Sequence, residues 1–145
     1  TRAGALAGLF AHAPSQAPPH IVRPGRTIAT RPTEEAKSKR EIYTAAPTAN
    51  RLKLPIEDGH THGNEAELVQ EVLGRTESTL VVWHHGTMAK IVRHFPVVNH
   101  DEVPKHWPDE RFDLIWVLLR QPGHELAYRF VAVPQMLLAD DLDTA

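Results

Sequence analysis

Thr79-Leu80-Val81-Val82-Trp83-His84-His85-Gly86-Thr87-Met88-Ala89-Lys90 runs from an apolar, β-branched segment directly into two histidines and then a helix-forming stretch. The segment Thr79 to Trp83 is apolar on both faces, which predicts a strand in the middle of a sheet covered on both sides. Met88, Ile91, Val92 and Phe95 follow at helical spacing and predict a helix that buries them. A strand-to-helix junction of this kind falls at the carboxyl edge of a sheet, where open α/β proteins bind their ligands. Amides at a helix start carry partial positive charge, and an imidazole exchanges protons near neutrality. We therefore expect His85-Gly86 to lie beside an anion, with a phosphoryl group the first candidate. Neighbouring strand residues point to opposite faces, so one member of the pair is expected in the site, His85 ahead of His84.

Outward from this junction, helix and strand patterns alternate. Ala3, Leu6, Ala7 and Phe10 mark an opening amphipathic helix; Gly4 and Gly8 interrupt it too often for a secretory leader. Pro14 to Gly25 is a proline-rich loop, and Thr27 to Thr30 a short strand. Thr33, with Glu34 and Glu35 behind it, predicts a helix start, and Ile42, Ala45, Ala49 and Leu52 carry the stripe onward with a kink or break at Pro47. Lys53 to Ile56 reads as extended and Glu57 to Gly63 as a polar loop. Asn64 and Glu67 form an N-cap pair for a helix burying Leu68, Val69, Val72 and Leu73. Asn99 to Asp109 is a loop, Phe112 to Leu119 and Glu125 to Val133 form a strand pair around Pro122-Gly123, and the tail from Asp140 frays. This order predicts one α/β domain over residues 1–145, a three-layer α/β/α sandwich with a C-terminal strand pair.

Composition narrows the partners. The 145 residues are 41% hydrophobic, enough for one core, and the formal charge is -2. With a pI near 6.5 and no dense basic cluster, nucleic acid and acidic membrane surfaces are not expected partners. No apolar run approaches the roughly 20 residues of a membrane span. The chain has no cysteine, so thiolate chemistry and disulfides are excluded. That suits a reducing cytoplasm, the compartment we expect, and also suits exported proteins.

Beyond His85, Arg40 in Ser38-Lys39-Arg40-Glu41-Ile42-Tyr43-Thr44-Ala45 offers the planar fork that clamps phosphate, with Arg31 and Lys39 as charged competitors. Set against this is an ordinary exposed helix arginine. Glu57, Asp58, Glu65 and Glu67 are possible general acids near one loop, and each also reads as a solvated face or a cap. Ten histidines, with His60-Thr61-His62 and with His84 and His85 among them, raise a metal site, because two histidines one residue apart on an extended segment can share an ion. The spacing fits no strong ligand pattern, so no metal is expected. Trp107 and Trp116 are expected to pack at a sheet end, with Asp113 bonding locally.

Taken in order, these pieces resemble the histidine phosphatase superfamily, the phosphoglycerate-mutase-like fold. Arg2-Ala3-Gly4-Ala5-Leu6-Ala7 is similar to the helix after that family's first catalytic loop, and Thr27 to Thr30 to its second strand. Arg40-Glu41-Ile42-Tyr43-Thr44-Ala45 resembles the Arg-Ala-x-x-Thr-Ala pattern around a phosphate-binding arginine, with Glu41 in place of the first alanine. Val81-Val82-Trp83-His84-His85-Gly86 resembles the strand and His-Gly of the second site histidine. Trp107-Pro108 through Phe112-Asp113-Leu114-Ile115-Trp116 is similar to a region of a bacterial branch.

The resemblance implies phosphate-ester hydrolysis through a phosphohistidine, needing no metal or organic cofactor, on a small phosphorylated substrate. In it His85 and Gly86 contact the phosphoryl group and Arg40 clamps its oxygens; the resemblance identifies no general acid, and Glu65 and Glu67 are the candidates because they follow the loop that could overhang the site. The family's nucleophile sits in an Arg-His-Gly motif that these 145 residues lack. Arg93-His94 precedes Phe95 within a helix, and Thr61-His62-Gly63-Asn64-Glu65 imitates the motif without its arginine. About ten to twenty further residues upstream, one strand and its loop, are expected to supply it. The alternative is a catalytically inactive relative or a ligand- or metal-binding module.

Overall fold

A computed structural model describes residues 2–11, 20–34, 38–108, 111, 114–123 and 125–135. The fold is mixed α/β, and the chain divides into two compact units, Thr1–His84 and His85–Ala145. None of the described helices is long and apolar enough to cross a membrane.

In the first unit, α1 (Arg2–Phe10) buries Ala7, Leu9 and Phe10 and packs against α2 (Arg40–Leu52). Strand β1 (Arg26–Ala29) is buried throughout, with Ile28 and Ala29 fully sequestered. It is the middle strand of a parallel sheet ordered β2-β1-β3, flanked by β2 (Ile56–Glu57) and β3 (Thr79–Val82). Helix α2 links β1 to β2, and α3 (Glu65–Leu73) links β2 to β3. These are the long crossovers that parallel neighbours require. Leu68 and Val69 of α3 are fully buried, as their spacing predicts.

The differences from the sequence expectation are local and have physical causes. Strand β3 is half-buried along its length and pairs only with β1 among the described residues, so the middle place belongs to β1. Composition alone overstated β3, because Leu80, Val81 and Val82 are apolar whether a second strand covers them or not. Helix α2 begins at Arg40, later than the start expected at Thr33, and Pro47 does not end it. The extended segment shifts from Lys53 to Ile56–Glu57, because Lys53 turns left-handed (φ 57°) to close α2, its N–H donating to the Asn50 carbonyl. A glycine at that exposed position escapes the Cβ clash of left-handed backbone, and Lys53→Gly is expected to raise stability by about 0.5–1 kcal/mol in a urea titration. Asn64 does precede α3, but its side chain makes no capping bond; it donates to the Thr61 hydroxyl at 3.0 Å.

In the second unit, a 3-10 turn (His85–Thr87) leads into the short α4 (Met88–Arg93). Strands β4 (Leu114–Arg120) and β5 (Tyr128–Pro134) pair antiparallel in register Leu114 with Pro134 through Arg120 with Tyr128, the expected strand pair. Gly123, with φ 132°, sits between them where a side chain would be strained. Trp107, Trp116 and Phe130 form a chain of ring contacts, at 4.8 and 5.3 Å, and the Trp107 indole donates to the Arg111 carbonyl. The expectations for Asp113 and for the tail from Asp140 lie outside the described residues, as does the first half of the loop from Pro14 to Gly25.

Along Tyr128 to Phe130 the second edge of β5 is met by a passing segment, Pro96 to Asn99. Val98 donates to the Tyr128 carbonyl, the Tyr128 N–H donates to Pro96, and the buried Asn99 side chain exchanges both bonds with the Phe130 backbone at 2.8 and 2.9 Å. An edge left open would template pairing with another chain. Asn99→Ala strips two buried backbone groups of their partners and is expected to lower the urea midpoint by about 2 kcal/mol of stability. Asn99→Asp retains the acceptor but loses the donor, and is expected to fall between.

Candidate functional site

The carboxyl edge of the β2-β1-β3 sheet carries the chemistry of the first unit. Thr30 and Arg31 follow β1, His60-Thr61-His62 follows β2, and Trp83-His84 follows β3. The loop after β2 is tied to β1: the Arg31 N–H donates to the His60 carbonyl at 2.8 Å, and Arg31 bridges to Thr61 as one further step of parallel pairing. The chain then turns at Gly63, whose φ of 103° suits glycine, with the Asn64 N–H donating to the Thr61 carbonyl.

That turn separates His60 from His62. The His60 imidazole lies 3.6 Å from Glu71 of α3, while the His62 ring lies 5.1 Å, centre to centre, from that of His84. His60 thus faces Glu71, and the ring that His62 meets is that of His84. Alternation along an extended strand holds only until the backbone leaves it, and here it leaves after Thr61. Among the described residues no group of three or more His, Asp or Glu side chains could hold a metal.

Beneath this edge is a charged cluster that residue patterns did not signal. Arg26, 7% exposed at the start of β1, donates from Nε and Nη2 to Glu57 at 2.9 and 2.6 Å and from Nη2 to Glu71 at 3.0 Å. Those hydrogen bonds with Glu57 raise the already high pKa of the guanidinium and hold the Glu57 carboxyl below its usual range. Glu57, a possible general acid on sequence, is thus spent on structure. The hint was a lone arginine entering a buried strand, with acidic residues on β2 and α3 further along the chain.

The other chosen residues lie as follows. Arg40 is the first residue of α2, exposed, with its N–H on the Ser38 hydroxyl and its carbonyl on Thr44. A surface depression lined by Pro32, Thr33, Glu34 and Lys39 lies beside this start. Glu65 opens α3, 4% exposed, with its Oε2 accepting no hydrogen bond among the described residues. Asp58 and Glu67 are exposed. His84, His85 and Gly86 are exposed where β3 ends. His85 begins a 3-10 turn before a six-residue helix, so the anion-holding dipole expected of a long helix start is weak here. Arg93 ends α4 with its guanidinium on the Lys105 carbonyl, and His94 caps that helix. Comparison of the chain with protein families, curated proteins and solved structures returned no match.

Proposed function

We propose that this chain is part of a phosphate-ester hydrolase of the histidine phosphatase type, built on a three-layer phosphoglycerate-mutase-like sandwich. The observation that carries the proposal is the parallel sheet with β1 in the middle, whose carboxyl edge collects Arg31, His60, His62 and His84 and continues directly into His85. Such an edge concentrates side chains from separate strands around one ligand. Of the residues the resemblance assigns to phosphate, Arg40 belongs to the first unit and offers a planar fork that neutralises phosphoryl charge, and His85 and Gly86 open the second. Glu65 serves as proton donor to the leaving oxygen: it is buried at the start of α3, and its Oε2 accepts no hydrogen bond among the described residues. The histidine that attacks phosphorus lies outside these residues. A small phosphorylated substrate is the partner, and arginine and histidine supply the charge a metal would otherwise bring.

The test has two parts. The protein as its gene encodes it is expected to hydrolyse p-nitrophenyl phosphate at mildly acidic pH, with EDTA leaving the rate unchanged. The chain alone is expected to bind inorganic phosphate or vanadate, seen as amide shifts at Gly86 and at the start of α2. No binding and no turnover would overturn the proposal, and binding without turnover would favour an inactive, ligand-binding relative.

A further inference from the structure

We infer that His62 and His84 form a two-imidazole site for a divalent transition-metal ion, Ni²⁺, Cu²⁺ or Zn²⁺, at the carboxyl end of β1. The topology makes the pair. Strands β2 and β3 flank β1, so the loops that follow them stand about two strand spacings apart, roughly 9–10 Å, a gap that two histidine side chains reach across from opposite sides. The turn closed by the Asn64 N–H on Thr61 sends His62 over the end of β1, and the ring of His84 meets it at 5.1 Å with the planes tilted by 50°.

That separation is the one a shared ion needs. Two imidazoles each holding an ion at about 2.1 Å, at angles between square and tetrahedral, set their ring centres roughly 4.5–5.2 Å apart. Both side chains are exposed, so an ion reaches them from water, and water completes its coordination. Imidazole suits these borderline ions better than it suits Mg²⁺ or Ca²⁺, which demand oxygen. His60 takes no part, since its ring is turned to Glu71. The site rests on this ring geometry and needs none of the roles proposed for His85, Arg40 or Glu65.

The experiment is calorimetric titration of the 145-residue chain with NiCl₂ at neutral pH, without phosphate, read beside the histidine ring signals in an NMR spectrum. One ion per chain is expected, with Mg²⁺ giving no heat and the signals of His62 and His84 shifting together. His62→Ala and His84→Ala are each expected to weaken binding on the order of a hundredfold, the lower end of what tethering two donors gains. His60→Ala, with its far-ultraviolet spectrum confirming the fold, is expected to bind as the parent does. Unchanged affinity in either His62→Ala or His84→Ala would overturn the site. Weak loss of similar size in all three variants would do the same, by showing scattered surface histidines in place of a pair.

Discussion

Replacing Arg26 with methionine is expected to destabilise the protein by about 2–3 kcal/mol, measured as a fall in the urea midpoint at unchanged slope. Removing one partner from a buried ion cluster commonly costs about 3–5 kcal/mol, because the remaining charge is stranded. Here Glu57 and Glu71 keep 36% and 38% of their side-chain surface in water, which lowers the figure. Arg26→Lys is expected to recover only part of the loss. A compact ammonium cannot present the planar fork that serves Glu57 twice and Glu71 once. Adding Glu57→Gln and Glu71→Gln to Arg26→Met is expected to restore stability, since no stranded carboxylate remains. A loss below about 0.5 kcal/mol in Arg26→Met, the range of an ordinary surface substitution, would contradict the account.

The same cluster sets an acid limit. Glu57 has its folded-state pKa held down, first by its hydrogen bonds with Arg26, against an ordinary value of 4.5. A depressed carboxyl contributes stability that is fully present above the ordinary value and is lost as pH falls through the folded one. Stability is therefore expected to be flat on this account above pH 5 and to decline below about 4.5. In Glu57→Gln that part of the decline is expected to vanish.

Under the proposed function, replacing His85 with alanine in the protein as its gene encodes it is expected to reduce kcat/KM for p-nitrophenyl phosphate by about a hundredfold to a thousandfold, the effect of removing one donor aimed at transition-state charge. His85 is exposed in its 3-10 turn, so thermal stability is expected to stay within about 0.5 kcal/mol of the parent. That separation of rate from stability is the informative result. Arg40→Ala is expected to follow the same pattern and to raise the phosphate concentration needed for half-saturation, whereas Arg40→Lys keeps charge without the fork and should recover little. Activity in His85→Ala equal to the parent's would remove His85 from the site.

The elements with the strongest periodicity were the ones legible in sequence. Leu68 and Val69 are buried on α3 because 3.6-residue spacing dictates a face, and β4 and β5 pair because two extended runs flank a glycine turn. Boundaries were less legible. The acidic pair Glu34-Glu35 suggested a helix start that falls instead at Arg40, and Lys53 was assigned to a strand although it closes a helix. For the site, sequence singled out the histidines but not their partners. His60 and His62 differ by two positions and so share a face on an extended segment; the turn that starts after Thr61, closed by the Asn64 N–H on the Thr61 carbonyl, ends that segment between them. Arg26 gave no periodic signal, since a single charged residue in a short strand reads as exposed until its partners are placed.

By itself, then, the order of residues determined which segments become helices and strands, that they alternate, and that a strand ends in His84-His85-Gly86, because propensity and hydrophobic spacing act over a few neighbouring positions. Only the tertiary structure decided that β1 is the middle strand, that Arg26 gathers Glu57 and Glu71, and that His62 meets His84 in place of His60. Those are contacts between residues 22 to 45 positions apart or fixed by a single turn, and strand order, which local pattern does not encode, brings them together.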